Sequence, residues 1–499
     1  MASSFGVEIA KIDLETITEF QKELHYATEM ITRQTPQGPV TEPEEVTSNF
    51  LREPRKTTWY SRIPMKLSMT ETDGVVTYIA NNTFDRIEFV DMIAELPALR
   101  VAKEFKDQIR ICWTHNILHN IVNEASMFRD ETLITGLDAN WLDQYSQRYI
   151  KPGFREIYNS GIGNIPFLEK WCDFLPAYTL TGPQPWPISE DISLSFPLFL
   201  LPPTSHLTFR YKPCLDIARL LRMQKLDKKS GSWKDIKCNL RYVEGAGIMK
   251  RLKNPILRAY YDYLSNEERE WWECGGRKHI FYLNHIVSTD AKNTSIYGKS
   301  AAVDLSCGPC KAIHWVAENQ NYILYNNRSN YSTSDDVYAG WTPWECYDIT
   351  YGGSQRVEKT GSEVSERLDS YHHGRIPPMD PGYGLYSFAR DIMSLDADIG
   401  IALSKVNAQI NIKLKNTDPF LRPVLESKLD DTDDEDEDDG GGDMEDTEIA
   451  SETGSVSVPA VVERKADFLI RVRMLITRKI VFSYDQEKKC YDMKVVDAK

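Results

Sequence analysis

At 499 residues with 41% hydrophobic content, the chain exceeds what one apolar core can organise, and two domains are expected. Its net charge of −15 is uneven: residues 430–448 hold 13 acidic side chains and no Lys or Arg, and without them −2 remains, which excludes a globally basic surface for nucleic acid. No apolar run reaches the ~20 residues of a membrane helix, and the nine scattered cysteines do not suggest a disulfide framework.

Glu8, Lys11 and Asp13 stand where a signal peptide would be apolar, so synthesis and retention in the cytosol are expected. Leu14, Ile17, Phe20, Leu24 and Ile31 then recur near helical spacing and predict an amphipathic helix over 13–31. Residues 34–55, rich in Pro, Thr and Glu, predict an extended arm. From Thr57 the pattern becomes short strands at 59–60, 75–80, 109–113 and 117–122, punctuated by turn pairs such as Asp73-Gly74 and Asn81-Asn82.

The stretch 185–211 carries the clearest antiparallel signal. Ile192, Leu194 and Phe196 alternate with Ser193 and Ser195, Pro197 interrupts, and 198–201 is a continuous apolar run that reads as strand. After the turn Pro202-Pro203-Thr204-Ser205, Leu207, Phe209 and Tyr211 alternate with Thr208 and Arg210. Two adjacent strands with no helix between them predict antiparallel pairing rather than a βαβ unit.

Strands continue at 242–243 and 256–263. Ser265 and Glu268 then make a capping box, predicting a short helix before Gly275-Gly276 and a domain boundary there. Beyond it lie strand-like runs at 279–283, 311–317 and 322–325. Two cleaner alternations follow, Ala408, Ile410, Ile412, Leu414 and Ile470, Val472, Met474, Ile476, with 480–484 and 491–496 last. The fold class is therefore all-β, two consecutive antiparallel sandwiches or jelly rolls. The acidic block with Gly440–Gly442 cannot collapse on itself and predicts a disordered, solvated loop.

No motif demands catalysis. Cys307-Gly308-Pro309-Cys310 has thioredoxin-like spacing, but that chemistry needs a helix N-terminus after the first thiol, and Lys311 to Val316 alternate like a strand. A zinc site would need a second cysteine pair; His314 and Cys346 are at unsuitable spacing. His115 and His119 could share a metal on a helix, but as members of a strand they would be ~13 Å apart. Position 116 is Asn, not the Glu of a metalloprotease helix, so structural histidines are expected. His372-His373 lies in a Gly/Pro-rich loop. The Asn-X-Ser/Thr triplets at Asn81, Asn293, Asn327 and Asn330 read as chance occurrences in loops. No catalytic, cofactor-binding or metal residue is assigned, and no cofactor is expected.

Several segments stand in collinear order: Trp59-Tyr60 with Ile63-Pro64, Phe84-Asp85-Arg86 leading to Leu96-Pro97-Ala98, residues 109–128 continuing into Ile134, Leu142-Asp143 and Gly163-Asn164, Pro197-Leu198 with Leu201-Pro202 and Phe209-Arg210, then 310–332, 382–414 and the final 471–485. Together they resemble the major capsid proteins of the nucleocytoplasmic large DNA viruses. The resemblance spans residues ~55–485. Departures are Leu395-Asp396-Ala397 in place of Pro-Ser-Gly, a shortened loop after Leu201, the acidic insertion and the residues beyond Tyr484.

The resemblance implies a double jelly roll of two eight-stranded barrels with short helices in loops and at the N-terminus. Residues 1–54 would form helix and arm, 55–264 the first barrel, 265–276 a linker helix, and 277–499 the second barrel with a disordered insertion at 428–455. It implies a homotrimer, a pseudo-hexameric capsomer meeting neighbouring capsomers in an icosahedral shell. Residues 1–50 would face inward toward minor capsid proteins or the inner membrane side. Direct nucleic acid binding is not expected. The location would be the virion capsid, after synthesis and assembly in host cytoplasm. A scaffold or minor capsid paralogue is the alternative; a CGPC redox protein and a glycan-binding β-sandwich are more remote ones.

Overall fold

The computed structural model describes residues 27–35, 38–46, 63–187, 195–244, 250–273, 278–393, 400–415, 467–485 and 490–497. Among them every strand pairing is antiparallel. The first barrel sets two five-stranded sheets around one core. One runs Thr132–Asp138, Glu124–Arg129, Leu207–Lys212, Val75–Ile79, Ser68–Thr72. The other runs Tyr178–Pro183, Arg86–Leu96, Ile256–Asp262, Ile63–Lys66, with Phe196–Pro197 added against Arg86–Leu96. Alternation fixes the faces: Val90, Met92 and Ala94 of one sheet and Phe209 and Tyr211 of the other are buried in the same core. Two three-stranded sheets extend this barrel.

The second barrel is built on one long strand, Asp467–Asp485. It pairs with His279–Asp290 on one side and Pro309–Asn319 on the other, with Gly384–Ser387 next, while Cys490–Asp497 and Ser295–Ile296 also pair with it. The facing sheet is Ser300–Leu305, Ala408–Leu414, Trp344–Tyr351, Ser354–Gly361. Ile313, Trp315, Ile410, Ile412 and Val472 fill the space between. Gly384 lies against the Trp315 indole, leaving no room for a side chain there. A short helix, Asn266–Glu273, lies between strands Ile256–Asp262 and His279–Asp290.

Several expectations need correction. The expected hairpin in 185–211 does not exist, because Phe196–Pro197 and Leu207–Lys212 belong to opposite sheets. The apolar run after Pro197 is a 3-10 turn, Leu198–Leu200, that folds inward; residues 188–194 lie outside the described residues. The runs at 117–122 and 322–325 are not strands but fall in helices Ile117–Val122 and Gln320–Leu324. Ile117–Val122 is buried on all sides and so has no period to read, and left-handed Asn116 (φ 48°) turns the chain into it; Gln320–Leu324 buries no residue, so its apolar side chains mark no face. At 27–31 the predicted N-terminal helix is replaced by strand, in the hairpin Ala27–Thr35/Gly38–Val46, which also takes up 34–35 and 38–46 of the predicted arm. Residues 1–26, the pair 59–60, Leu395-Asp396-Ala397 and the insertion 428–455 lie outside the described residues.

Candidate functional site

Among the described residues, a dense buried polar network lies in the seam between the barrels. Two buried helices of the first barrel, Ile117–Val122 and Ala139–Arg148, face loops of the second. Asp138 caps the longer helix by accepting from the Trp141 amide at 2.7 Å. The same carboxylate crosses the seam to Arg473 at 2.7 Å and accepts from Ser288 Oγ at 3.2 Å.

Asp143, fully buried, accepts from Asn116 Nδ2 at 2.9 Å, from His119 Nδ1 at 2.8 Å and from the Tyr331 hydroxyl of the second barrel at 2.9 Å. Tyr331 in turn accepts from Asn140 Nδ2. Such a carboxylate is stable in a dry site only because its lone pairs are met. Asn120 donates to Ser329 Oγ and to His115 O, and Asn326 Nδ2 donates to the carbonyls of Ala218 and Leu221.

Arg148 is the central cation. Its Nε donates to Ser370 Oγ at 3.1 Å, Nη1 to Gln144 Oε1 at 2.9 Å and Nη2 to Tyr383 O at 2.6 Å. Burial lowers it to about 10, which leaves it charged at neutral pH. The opposite holds for His314, pushed down to about 3 by burial and then by the Arg148 charge. It is neutral, and Tyr149 Oη donates to its Nε2. Apolar contacts also cross between the barrels: Phe281, Leu283 and Phe482 of the second join the first barrel's core, with Phe482 against Phe196 and Phe281 against Trp272.

The other residues that sequence reasoning weighed are placed apart. Cys307 and Cys310 bracket the turn between strands Ser300–Leu305 and Pro309–Asn319, with a strand and not a helix following. Burial holds the Cys310 thiol well above its ordinary range, against what a reactive thiolate needs. His119 is on a helix after all, yet its two ring nitrogens face Asp143 and Tyr158 Oη. His372 and His373 end a short helix at the surface. Asn327 and Asn330 are buried in the seam. Among the described residues no group of three or more His, Cys, Asp or Glu is arranged to hold a metal. Sequence reasoning gave no role in the site to Asp143, Arg148 or Tyr331; the polar density of 326–335, Asn-Asn-Arg-Ser-Asn-Tyr-Ser-Thr-Ser-Asp, was the available signal.

No family model matches the chain. It is similar to the major capsid protein of Simulium iridescent virus, 23% identical over 424 residues, 79% of this chain and 83% of the relative. That of Lymphocystis disease virus 1 is 22% identical over 404 residues, covering 74% and 82%. Among solved structures, VP54 of PBCV-1 matches with a TM-score of 0.60 and 11% identity, covering 89% of this chain and 98% of that one. The Faustovirus major capsid protein matches at 0.59 and 7% identity, covering 86% and 92%. Likeness in sequence and in fold thus run along most of the chain together. The chain is a major capsid protein of the kind found in large DNA viruses, with the double jelly-roll fold. For such a capsid protein the seam has a mechanical meaning, since hydrogen bonds that fix one angle make two barrels a single rigid block. It is a structural protein, not an enzyme.

Proposed function

We propose that this capsid protein forms a homotrimer whose six barrels make a pseudo-hexagonal capsomer, and that capsomers tile the icosahedral shell. One observation carries the reading of a self-associating surface. The helical loops outside the seam leave Ile157 (71%), Tyr371 (73%), Met379 (70%) and Trp341 (61%) exposed. The segments bearing Ile157, Tyr371 and Met379 are tied together: Arg155 Nη2 donates to both Gln147 O and Pro377 O, and the Arg148 carbonyl accepts from the Arg375 and Ile376 amides. Apolar side chains held out on braced loops mark an interaction surface. Second copies of the chain satisfy it.

The first barrel would span 55–264, the second 277–499, with 265–276 linking them. Residues 1–50 would face the capsid interior, toward minor capsid proteins or the membrane side, and assembly would take place in host cytoplasm.

Sedimentation of the purified chain at micromolar concentration, with electron microscopy for flat hexagonal particles, tests the trimer. An Ile157→Asp, Tyr371→Asp variant should keep its melting temperature and weaken trimers by about tenfold or more, as interface anchors do. A wild-type chain that stays monomeric would overturn the reading.

A further inference from the structure

His115 sits where three loops meet. Its side chain is 4% exposed, with Nδ1 2.9 Å from Glu169 Oε1 and Nε2 3.4 Å from Asp380 Oδ2. The Glu169 approach is oblique, a charge contact and not a directed hydrogen bond, which accounts for two buried atoms otherwise without hydrogen-bond partners. Glu169 ends the short helix Pro166–Glu169 of the first barrel, and Asp380 lies on the second barrel's loop before Gly384–Ser387. A neutral imidazole offers one N–H and one lone pair, so it would set that lone pair against one of the carboxylates. Only the imidazolium suits both.

The surroundings lock the three loops to this ring. Tyr338 places its ring edge-on to His115, and its hydroxyl lies 3.3 Å from Glu169 Oε2 and 3.2 Å from Asn164 Oδ1. Gln147 Nε2 donates to Asp380 Oδ2 at 2.7 Å, and its Oε1 accepts from the Met379 and Asp380 amides. Asn164 Nδ2 lies 3.3 Å from His115 Nε2 and donates to Asn116 Oδ1 at 2.9 Å. The charged groups facing the ring are Glu169 and Asp380; Arg155 acts on Asp380, and the His119–Asp143 pair lies beyond Asn116.

We propose that His115, as an imidazolium, is the pin that holds loops 164–169, 336–341 and 376–380 in one arrangement, and so shapes the surface on which neighbouring copies pack. Loss of its proton frees these loops, and assembly weakens in alkaline solution. This rests on the trimer reading above. Burial by itself would push His115 down, but Glu169 and Asp380 outweigh it and hold the ring well above its usual range. A raised value sets the sign. The contribution is complete below the ordinary histidine value of about 6.5 and fades as pH climbs through the folded-state value.

The test compares wild type, His115→Gln, and a neutral set carrying His115→Gln, Glu169→Gln and Asp380→Asn, from about pH 6 to about pH 10, around and above the histidine range. Trimer dissociation is followed by sedimentation, amide exchange of 164–169 and 376–380 in the dilute chain, and His115 protonation by imidazole nitrogen resonances. Wild-type trimers should weaken by about tenfold or more with rising pH, as expected when a buried charge set loses its central cation. Both loops should lose exchange protection at the same midpoint as His115. His115→Gln should already be weakened at the lowest pH, and the neutral set should be flat. Loop protection and assembly in wild type that do not follow His115 would overturn the pin, whatever the folding of the variants. A wild type that never trimerises would sink the trimer reading instead, and amide exchange alone would then decide the pin.

Discussion

The interior of the second barrel and the seam beside it are equally dry and oppositely made. Trp315, Ile313, Ile410 and Val472 are fully buried among apolar neighbours, while Asp143, Arg148 and His314 are fully buried among donors and acceptors. Apolar burial is strong but has no preferred angle, so it holds sheets together without dictating how two barrels stand to one another. Hydrogen bonds contribute less net free energy each, yet fail unless the geometry is right. The barrel interiors thus account for stability, and the seam for a fixed relation between two stable bodies.

Three experiments would break or sharpen that contrast. The largest effect is expected inside the barrel: Trp315→Ala should cost about 3–5 kcal/mol, read from the urea midpoint, because a buried aromatic leaves a cavity that cannot fully collapse. Next, Arg148→Met should cost about 3 kcal/mol in the same measurement, since Tyr383 O, Ser370 and Gln144 lose a charged donor while the volume is roughly kept. A neutral or stabilising outcome would show that apolar packing can replace the seam. The third is a slope. With His314 depressed to about 3, the unfolded chain takes up a proton below about pH 6.5 while the folded chain refuses it. Stability should therefore fall as the pH drops from there toward pH 3, and His314→Gln should remove that share of the acid sensitivity.

What the sequence made legible divides along the same line. Ala408–Leu414 was readable because one face is buried and alternation reports that directly, and Asp467–Asp485 because Ile470, Val472, Met474 and Ile476 alternate with arginines at 471 and 473, although residues 472–477 are all buried. Ile117–Val122 and Leu198–Leu200 were not, being short apolar runs whose every side chain, or nearly so, is covered. The false hairpin at 185–211 has a topological cause: in a jelly roll neighbours in sequence can cross to the opposite sheet, and strand pattern does not record partners. The seam was least legible. Tyr331 and Asp143 are 188 positions apart, and Arg148 and Tyr383 are 235 apart. Only the fold brings such residues together, and a polar residue met in isolation reads as surface.

The long strand Asp467–Asp485 has a consequence for biosynthesis. His279–Asp290 and Pro309–Asn319 both find their partner in a segment that leaves the ribosome only after the acidic stretch has been translated. Until then these two strands have open edges in a crowded cell, where pairing with the wrong chain is the chief hazard. The dense negative charge of 430–448, emerging just before the rescuing strand, would repel identical nascent neighbours during that interval.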